Sequence, residues 1–198
     1  MPQLVLASAS PRRQRLLAQL GLDFLTIPSD IEEGDYAGLH TGLPPAERVT
    51  ALARAKAEMV ARGLSDAIVL GADTIVVCQG QVLGKPASAE EAEAMLSFLS
   101  GKSHEVYTGI ALVRVPGMIF RQAWERTEVR FRQLSAREIK AYVATGEPLD
   151  KAGAYGIQGL GALLVESICG DFFNVVGLPL VRTVALLQEF GIDPWNRT

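Results

Sequence analysis

The chain has 198 residues, of which 48% are hydrophobic, and a formal net charge of −3. That length allows a substantial core within one domain, and the composition excludes a disordered or fibrous protein. The slightly acidic balance argues against a general nucleic-acid binder, which needs Lys and Arg in excess. No apolar stretch approaches the ~20 residues of a membrane span or forms a signal-peptide core. We therefore expect a globular cytoplasmic protein with no membrane or nucleic-acid partner.

The first elements follow one another closely. A short buried strand is predicted at residues 4–8. A helix then begins at Pro11, a position that suits the fixed φ of proline, with Ser10 as N-cap and Gly21 marking its end. The pattern predicts a strand, a tight turn and a helix in direct succession.

An acidic segment at residues 29–36 separates this unit from a second helix of about 17 residues that ends near Gly63. The apolar run at residues 67–78 predicts a central strand. Gly80 then marks a turn.

Two further helices carry capping-box spacing at their starts, Ser88 with Glu91 and Ser135 with Glu138. Between them, two alternating segments flank Pro116 and predict an antiparallel hairpin.

The last part of the chain begins with a glycine-rich segment at residues 150–161. A strand is predicted at residues 162–168 and a C-terminal helix from about Pro179. Helices and strands interleave throughout, so we predict an α/β fold with a mixed sheet, built as a single domain over residues 1–198.

The cysteines and histidines predict neither a disulfide nor a metal knuckle. Cys78 and Cys169 lie far apart in apolar settings, so we expect two buried free thiols. Neither His40 nor His104 has metal-ligand spacing to another His or Cys.

Two adjacent arginines, Arg12 and Arg13, occupy the first turn of the first helix. That end of the helix dipole is positive, so cations there are unfavourable. A single arginine there is most often a solvent-facing ion-pair partner. For two at a capped helix start, the N–H groups, the dipole and the guanidinium groups converge, which favours a phosphate site.

Asp73 stands inside the apolar run GADTIVV. A carboxylate that enters an interior without a partner costs several kcal/mol, so it needs a metal, a cation or hydrogen-bond donors. One interpretation is a functional carboxylate near a strand end, where ligands collect in α/β sheets. The alternative is a turn cap just past the strand end, which the nearby Gly71 supports.

Two lysines complete the candidate charges. Lys56 falls on the apolar face of the second helix with Val49 and Leu52. It either extends to the solvent edge, the commoner outcome, or reaches a charged partner. Lys85 lies in a loop, LGKP, where a solvated lysine is the default.

The acidic segment offers ligands for a cation. Most of its carboxylates are expected to be solvated, but a nucleoside triphosphate brings a divalent ion that takes one or two carboxylates along with phosphate oxygens. One glutamate of this segment together with Asp73 would suffice to hold such an ion.

Seven segments resemble, in order and spacing, the motifs of the Maf family of nucleoside triphosphate pyrophosphatases. They are SASPRR, DIEE, LARAKA, GADTIV, LGKP, EPLDKAGAYGIQG and VVGLPL. They run from Ser8 to Leu180, nearly the whole chain, and seven motifs in order are highly specific although each alone is weak.

The resemblance implies an α/β fold in which an elongated mixed sheet with flanking helices separates two lobes around a cleft, often as a homodimer. It also implies hydrolysis of nucleoside triphosphates to the monophosphate and diphosphate with a divalent cation. We predict Mg²⁺ or Mn²⁺ as that cation, held by Glu33 and Asp73. The dTTP/UTP branch carries Arg, Thr and Gln at three positions, matched here by Arg12, Thr74 and Gln158. The 7-methyl-GTP branch usually carries Trp, Gln and Glu there. The resemblance thus implies dTTP and UTP as substrates, with these residues and Ser8 contacting them.

The family's proton acceptor corresponds to Asp73. An ordinary Asp pKa of about 3.9 makes a poor base for bulk water, but water bound to a cation is more acidic. Arg13, Lys56 and Lys85 would then offset phosphate charge. The alternatives are a regulator that binds a nucleotide without cleaving it, for which Asp73 has no use unless a metal is held, and a nucleotidyl transferase.

Overall fold

The computed structural model describes residues 2–31 and 42–196. The chain divides into two compact units. Unit 1 comprises Met1–Asp73, Thr108–Glu125 and Gly177–Thr198, and unit 2 comprises Thr74–Tyr107 and Arg126–Val176.

The described strands belong to one mixed sheet. In chain order they are β1 (Gln3–Leu6), β2 (Leu25–Thr26), β3 (Ala67–Cys78), β4 (Gln81–Leu83), β5 (Ser103–Val115), β6 (Ile119–Phe131) and β7 (Val165–Cys169). Their order in the sheet is β2-β1-β3-β5-β6-β7, with β4 paired to β3. β1 is parallel to β2 and β3. β4 is antiparallel to β3, and β7 is antiparallel to β6.

Six α-helices of the described residues flank this sheet; four lie between strands in the sequence, and the last two follow β7. They are α1 (Pro11–Gln19), α2 (Pro45–Ala61), α3 (Ala89–Leu99), α4 (Ala136–Val143), α5 (Phe172–Val176) and α6 (Leu180–Glu189). The predicted α/β class with a mixed sheet and flanking helices is confirmed. The expected elongated shape, the cleft between two lobes and the single domain stay predictions.

In unit 1, the core forms where α2 faces the parallel strands β1 and β3. Val5 and Val69 are register partners in these strands, and both are fully buried against Ala57 of α2. The small alanines of α2 let the helix approach the sheet closely.

In unit 2, a larger core packs around Phe131, with Leu96 and Leu99 from α3 and Tyr142 from α4. The serine caps of these helices form as predicted. Ser88 Oγ accepts a hydrogen bond from the Glu91 N–H, and Ser135 and Glu138 make the reciprocal capping box.

Several predicted boundaries differ from the structure. β4 was not expected, and it pairs with β3 across the predicted turn. The chain predicted as a strand at residues 162–168 is helical with a 3-10 turn over Gly159–Leu164, and only Val165–Cys169 is extended. The glycines before it favour tight turns over an extended start.

The burial of one cysteine was predicted wrongly. Cys78 is buried, but Cys169 is exposed. β7 is the terminal strand in the sheet order and pairs only with β6 among the described strands, so part of its surface faces solvent.

Within residues 2–31 and 42–196, no helix combines the length and the apolar character needed to cross a lipid bilayer.

Candidate active site

The candidate site in unit 1 lies where β3 extends beyond the end of its parallel neighbour β1. β1 ends at Leu6, which is paired with Leu70, and the last link is the Ala7 N–H to the Leu70 carbonyl oxygen at 2.8 Å. β3 continues past this point as far as Cys78. Residues 71–73 therefore lie at the carboxyl end of a parallel strand pair, the place where ligands collect in α/β sheets.

Asp73 is buried inside β3 and forms an ion pair with Lys56. Its carboxylate Oδ1 is 2.6 Å from Lys56 Nζ, and the two side chains are 2% and 11% exposed. The interpretation of Asp73 as a cap beyond a strand end is wrong, because the strand runs on through it. The expectation that Lys56 would more often extend to solvent is also wrong, since the ammonium group reaches a buried carboxylate.

The pair forms because α2 lies directly on the sheet. A Cβ placed on Gly71 would be 2.1 Å from the carbonyl oxygen of Ala53, and one on Gly109 of β5 would be 2.4 Å from that of Val49. Gly71 and Asp73 are two residues apart and share one face of β3, while Ala53 and Lys56 are three apart and share one face of α2. The contact at Gly71 thus brings Lys56 to Asp73.

This close approach of helix and sheet was not predicted, since Gly71 alone is equally consistent with a turn. The signal available in the sequence was a glycine inside an apolar strand, which often marks a place where another backbone approaches closely.

Arg13 ties three segments of unit 1 together. Its Nε donates to the Gly177 carbonyl oxygen at 2.8 Å, and its Nη1 donates to that of Ala72 at 2.9 Å and to Ser8 Oγ at 3.4 Å. The guanidinium group is therefore anchored to the backbone of the residue that precedes Asp73. The carbonyl groups of Ala72 and Gly177 carry no sequence signal, so this anchoring was not predicted.

Ser8 and Ser10 have different roles from those their positions suggest. Ser10 occupies the N-cap position of α1, but its side chain makes no capping hydrogen bond. Buried Ser8 instead accepts the Ser10 N–H through its Oγ at 3.2 Å. Arg12, the second residue of α1, is partly exposed.

The remaining predicted site residues lie in unit 2 or outside the residues that the structure describes. Thr74 follows Asp73 in β3 and is partly buried, and Lys85 is exposed in the loop after β4. Lys85 follows Gly84, whose carbonyl oxygen accepts the Gly153 N–H at 3.0 Å, so this loop is joined to the glycine-rich segment that carries Gln158.

Glu33, the predicted second metal ligand, lies outside the described residues. In the described part of the chain, no three His, Cys, Asp or Glu side chains are grouped as a metal site. Asp73 has buried carboxylate oxygens, the hard type of donor that such a cation would take. A site with few protein oxygens fits Mg²⁺ or Mn²⁺, which keep bound waters and take substrate phosphates as ligands.

Comparison with known proteins gives a consistent result over the full length. A family model described as Maf-like protein matches residues 3–190. A protein of Moorella thermoacetica named dTTP/UTP pyrophosphatase is 62% identical over 197 residues, covering 100% of both chains. Proteins with the same name from Symbiobacterium thermophilum and Bacillus cereus strain AH820 are 56% and 50% identical, covering 96% and 98% of this chain and 95% and 98% of their own.

Proposed function

Because the chain belongs to the family of Maf-like proteins, we propose that it hydrolyses nucleoside triphosphates, dTTP and UTP in particular, to the monophosphate and diphosphate. The observation that carries the proposal is the buried pair of Asp73 and Lys56. A structural protein gains little from such a pair, since taking both charges out of water costs several kcal/mol for each ion. A phosphate-cleaving site uses both.

Asp73 acts as the proton acceptor in this proposal. Water attacks the α-phosphorus, a new P–O bond forms, and the bond to the bridging oxygen breaks so that diphosphate leaves with the electron pair. The proton released by the water passes to the Asp73 carboxylate. A divalent cation held by Asp73 and Glu33 would lower the pKa of water and neutralise phosphate charge.

The cationic side chains offset charge on the phosphates. Lys56 is held by Asp73, so its ammonium group is in place before substrate arrives. Arg13 is oriented through two carbonyl oxygens, which fixes the plane of its guanidinium group. We assign Lys85 the same electrostatic role. Such positioned charges carry most of the catalysis in phosphoryl transfer.

Arg12, Thr74 and Gln158 select the base, and Ser8 supports substrate binding. A Gln amide offers both a donor and an acceptor, which matches the O4 and N3–H edge of uracil and thymine. The name shared by the relatives supports dTTP and UTP over 7-methyl-GTP.

Diphosphate release decides the proposal. Purified protein with Mg²⁺ or Mn²⁺ should release diphosphate from dTTP and UTP in a panel of canonical and modified triphosphates. Preference for 7-methyl-GTP would overturn only the assignment to the dTTP/UTP branch of the family. Binding without release from any triphosphate would favour the nucleotide-binding regulator.

The variant Asp73→Asn should lose at least about 10³-fold in kcat while still binding a non-hydrolysable dTTP analogue. Asp66→Asn is the matched control, because that carboxylate is 62% exposed and pairs with Arg114. Near-normal turnover by Asp73→Asn would remove Asp73 from the mechanism.

We also propose a cytoplasmic homodimer, because nucleoside triphosphates are found in the cytoplasm and the family is often dimeric. Sedimentation at several protein concentrations tests the dimer.

A further inference from the structure

The segment at residues 156–161, called here the glycine loop, carries Gln158 between two ends that lie in contact with each other. A Cβ placed on Gly161 would lie 2.1 Å from the carbonyl oxygen of Gly156 and 2.6 Å from the hydroxyl oxygen of Tyr142. The two ends of the loop therefore touch, with no room for a side chain between them. Gln158 itself is exposed.

Two side chains from outside the loop hold this base, and both belong to unit 2. Tyr142, from α4, accepts the Gly156 N–H through its hydroxyl oxygen at 3.2 Å. The carboxylate of Glu147 accepts the N–H groups of Leu160 and Gly161 at 3.3 and 3.4 Å. Tyr142 thus binds the loop on the N-terminal side of Gln158, and Glu147 binds it on the C-terminal side.

The residues around this pair are fixed in turn. Tyr155, directly before the loop, is buried, and its hydroxyl oxygen is 2.8 Å from His104 Nε2. The rings of these two residues and of Phe131 are stacked edge to face. Tyr142 is 5% exposed in the core of unit 2. The chain that enters the loop is therefore packed into the core of unit 2, and the loop is attached to that core through Tyr142.

From this geometry we infer that Tyr142 and Glu147 are positioning residues that hold the glycine loop in one conformation and so determine the direction of the Gln158 amide and the choice of base. The inference rests on the proposed function, in which Gln158 reads the base. A Gln side chain discriminates between bases only when its donor and acceptor ends are held in register with the base edge. On an unrestrained loop it would adapt to several bases.

Kinetics of Tyr142→Phe and Glu147→Gln provide the first test. Each should raise KM for dTTP, leave kcat within about twofold, and lower the ratio of kcat/KM for dTTP over dCTP about tenfold, because the Gln158 amide meets the base and not the reacting phosphate. Glu147→Ala, which keeps no acceptor oxygen, should lower the ratio further than Glu147→Gln. A general loss of folding would lower kcat and affect both substrates equally.

Tyr107→Phe and Glu166→Gln are matched controls in the same unit. Tyr107 donates its hydroxyl to Glu105 at 2.9 Å, and Glu166 accepts from Arg130 Nε at 2.9 Å. Neither contact touches the glycine loop. Both controls should retain the wild-type dTTP over dCTP ratio.

Amide hydrogen exchange provides a readout that does not need turnover. Tyr142→Phe and Glu147→Gln should speed exchange in the glycine loop about tenfold and leave β3 unchanged. If the wild type cleaved no triphosphate, the proposed function would fail, and base selection by the loop would fail with it; the exchange data would still decide whether Tyr142 and Glu147 hold the loop. Selective wild-type hydrolysis with unchanged ratios and unchanged loop exchange in both variants would overturn the inference.

Discussion

The two units hold their candidate functional residues by different means. In unit 1, backbone-to-backbone contact at Gly71 sets α2 on the sheet and delivers Lys56 to Asp73. In unit 2, backbone N–H groups of the loop that carries Gln158 donate hydrogen bonds to the side chains of Tyr142 and Glu147. Close packing of helix on sheet thus places a buried ion pair in unit 1, whereas hydrogen bonds to side chains hold a partly exposed loop in unit 2.

The buried titratable groups differ in the same way. In unit 1 they form an ion pair. In unit 2 they are kept neutral, because burial lowers the pKa of His104 to about 4 and raises the pKa of Tyr142 to about 12. Burial likewise raises the pKa of Tyr155. Paired charges suit work on phosphates, and neutral hydrogen bonds suit holding a loop that reads a base.

The largest effect is expected where backbone meets backbone. Gly71→Ala places a Cβ 2.1 Å from a carbonyl oxygen, so α2 must move off the sheet. We expect a loss of more than about 4 kcal/mol in the free energy of unfolding, or failure to fold, measured by urea titration and circular dichroism. Gly63→Ala is the control, because its Cβ would meet only the Val60 carbonyl oxygen at 3.6 Å. Equal stability of the two variants would contradict close packing as the basis of unit 1.

The ion pair should show a characteristic double-mutant cycle. Lys56→Met and Asp73→Asn each leave a buried group without its charged partner, so each should cost about 3–5 kcal/mol of unfolding free energy. The double variant removes both charges and should be more stable than either single variant. Urea denaturation of the four proteins gives the coupling energy. Additive losses would show that the two charges do not depend on each other.

The neutral histidine of unit 2 should make stability depend on pH. Burial lowers the pKa of His104 from 6.5 in the unfolded chain to about 4 in the folded protein. As the pH falls, the unfolded chain therefore takes up a proton at His104 before the folded protein does. The stabilisation is complete above pH 6.5 and is lost as the pH falls through about 4, a change of about 3 kcal/mol.

Comparing unfolding free energies of the wild type and His104→Gln between pH 7 and 4 isolates this contribution from that of the carboxylates. NMR titration in a His40→Gln background follows the one remaining histidine. A His104 pKa near 6.5 in the folded protein would refute the neutral-core description of unit 2.

The smallest effects concern the helix caps. Ser135→Ala in unit 2 removes one half of a formed capping box and should cost about 1 kcal/mol. Ser10→Ala in unit 1 should cost only a few tenths, since that side chain makes no capping hydrogen bond. Thermal unfolding of both variants measures the difference. Equal losses would mean that Ser10 does cap α1.

Local sequence signals located most of the elements correctly. The second helix has the predicted length and ends at Ala61, and the central strand matches its predicted bounds, Ala67–Cys78. The capping serines of α3 and α4 were also predicted, because capping depends on residues three positions apart. β4 was missed, since three residues carry too little pattern to be recognised.

The sequence by itself determined which residues are candidates for the chemistry. An aspartate in an apolar run, a lysine on an apolar helix face and two arginines at a helix start each break a local rule, and a broken rule can be read without a structure. Their order and spacing also determined the family.

Only the tertiary structure decided what these and neighbouring residues contact. It decided that Lys56 pairs with Asp73, that Arg13 is anchored by the Ala72 and Gly177 carbonyl oxygens, and that Tyr142 and Glu147 hold the glycine loop. Backbone carbonyl groups are the same in every residue, and contacts between distant segments depend on packing. The sequence therefore identifies the candidate residues, and the packing of α2 on the sheet determines that Lys56 contacts Asp73.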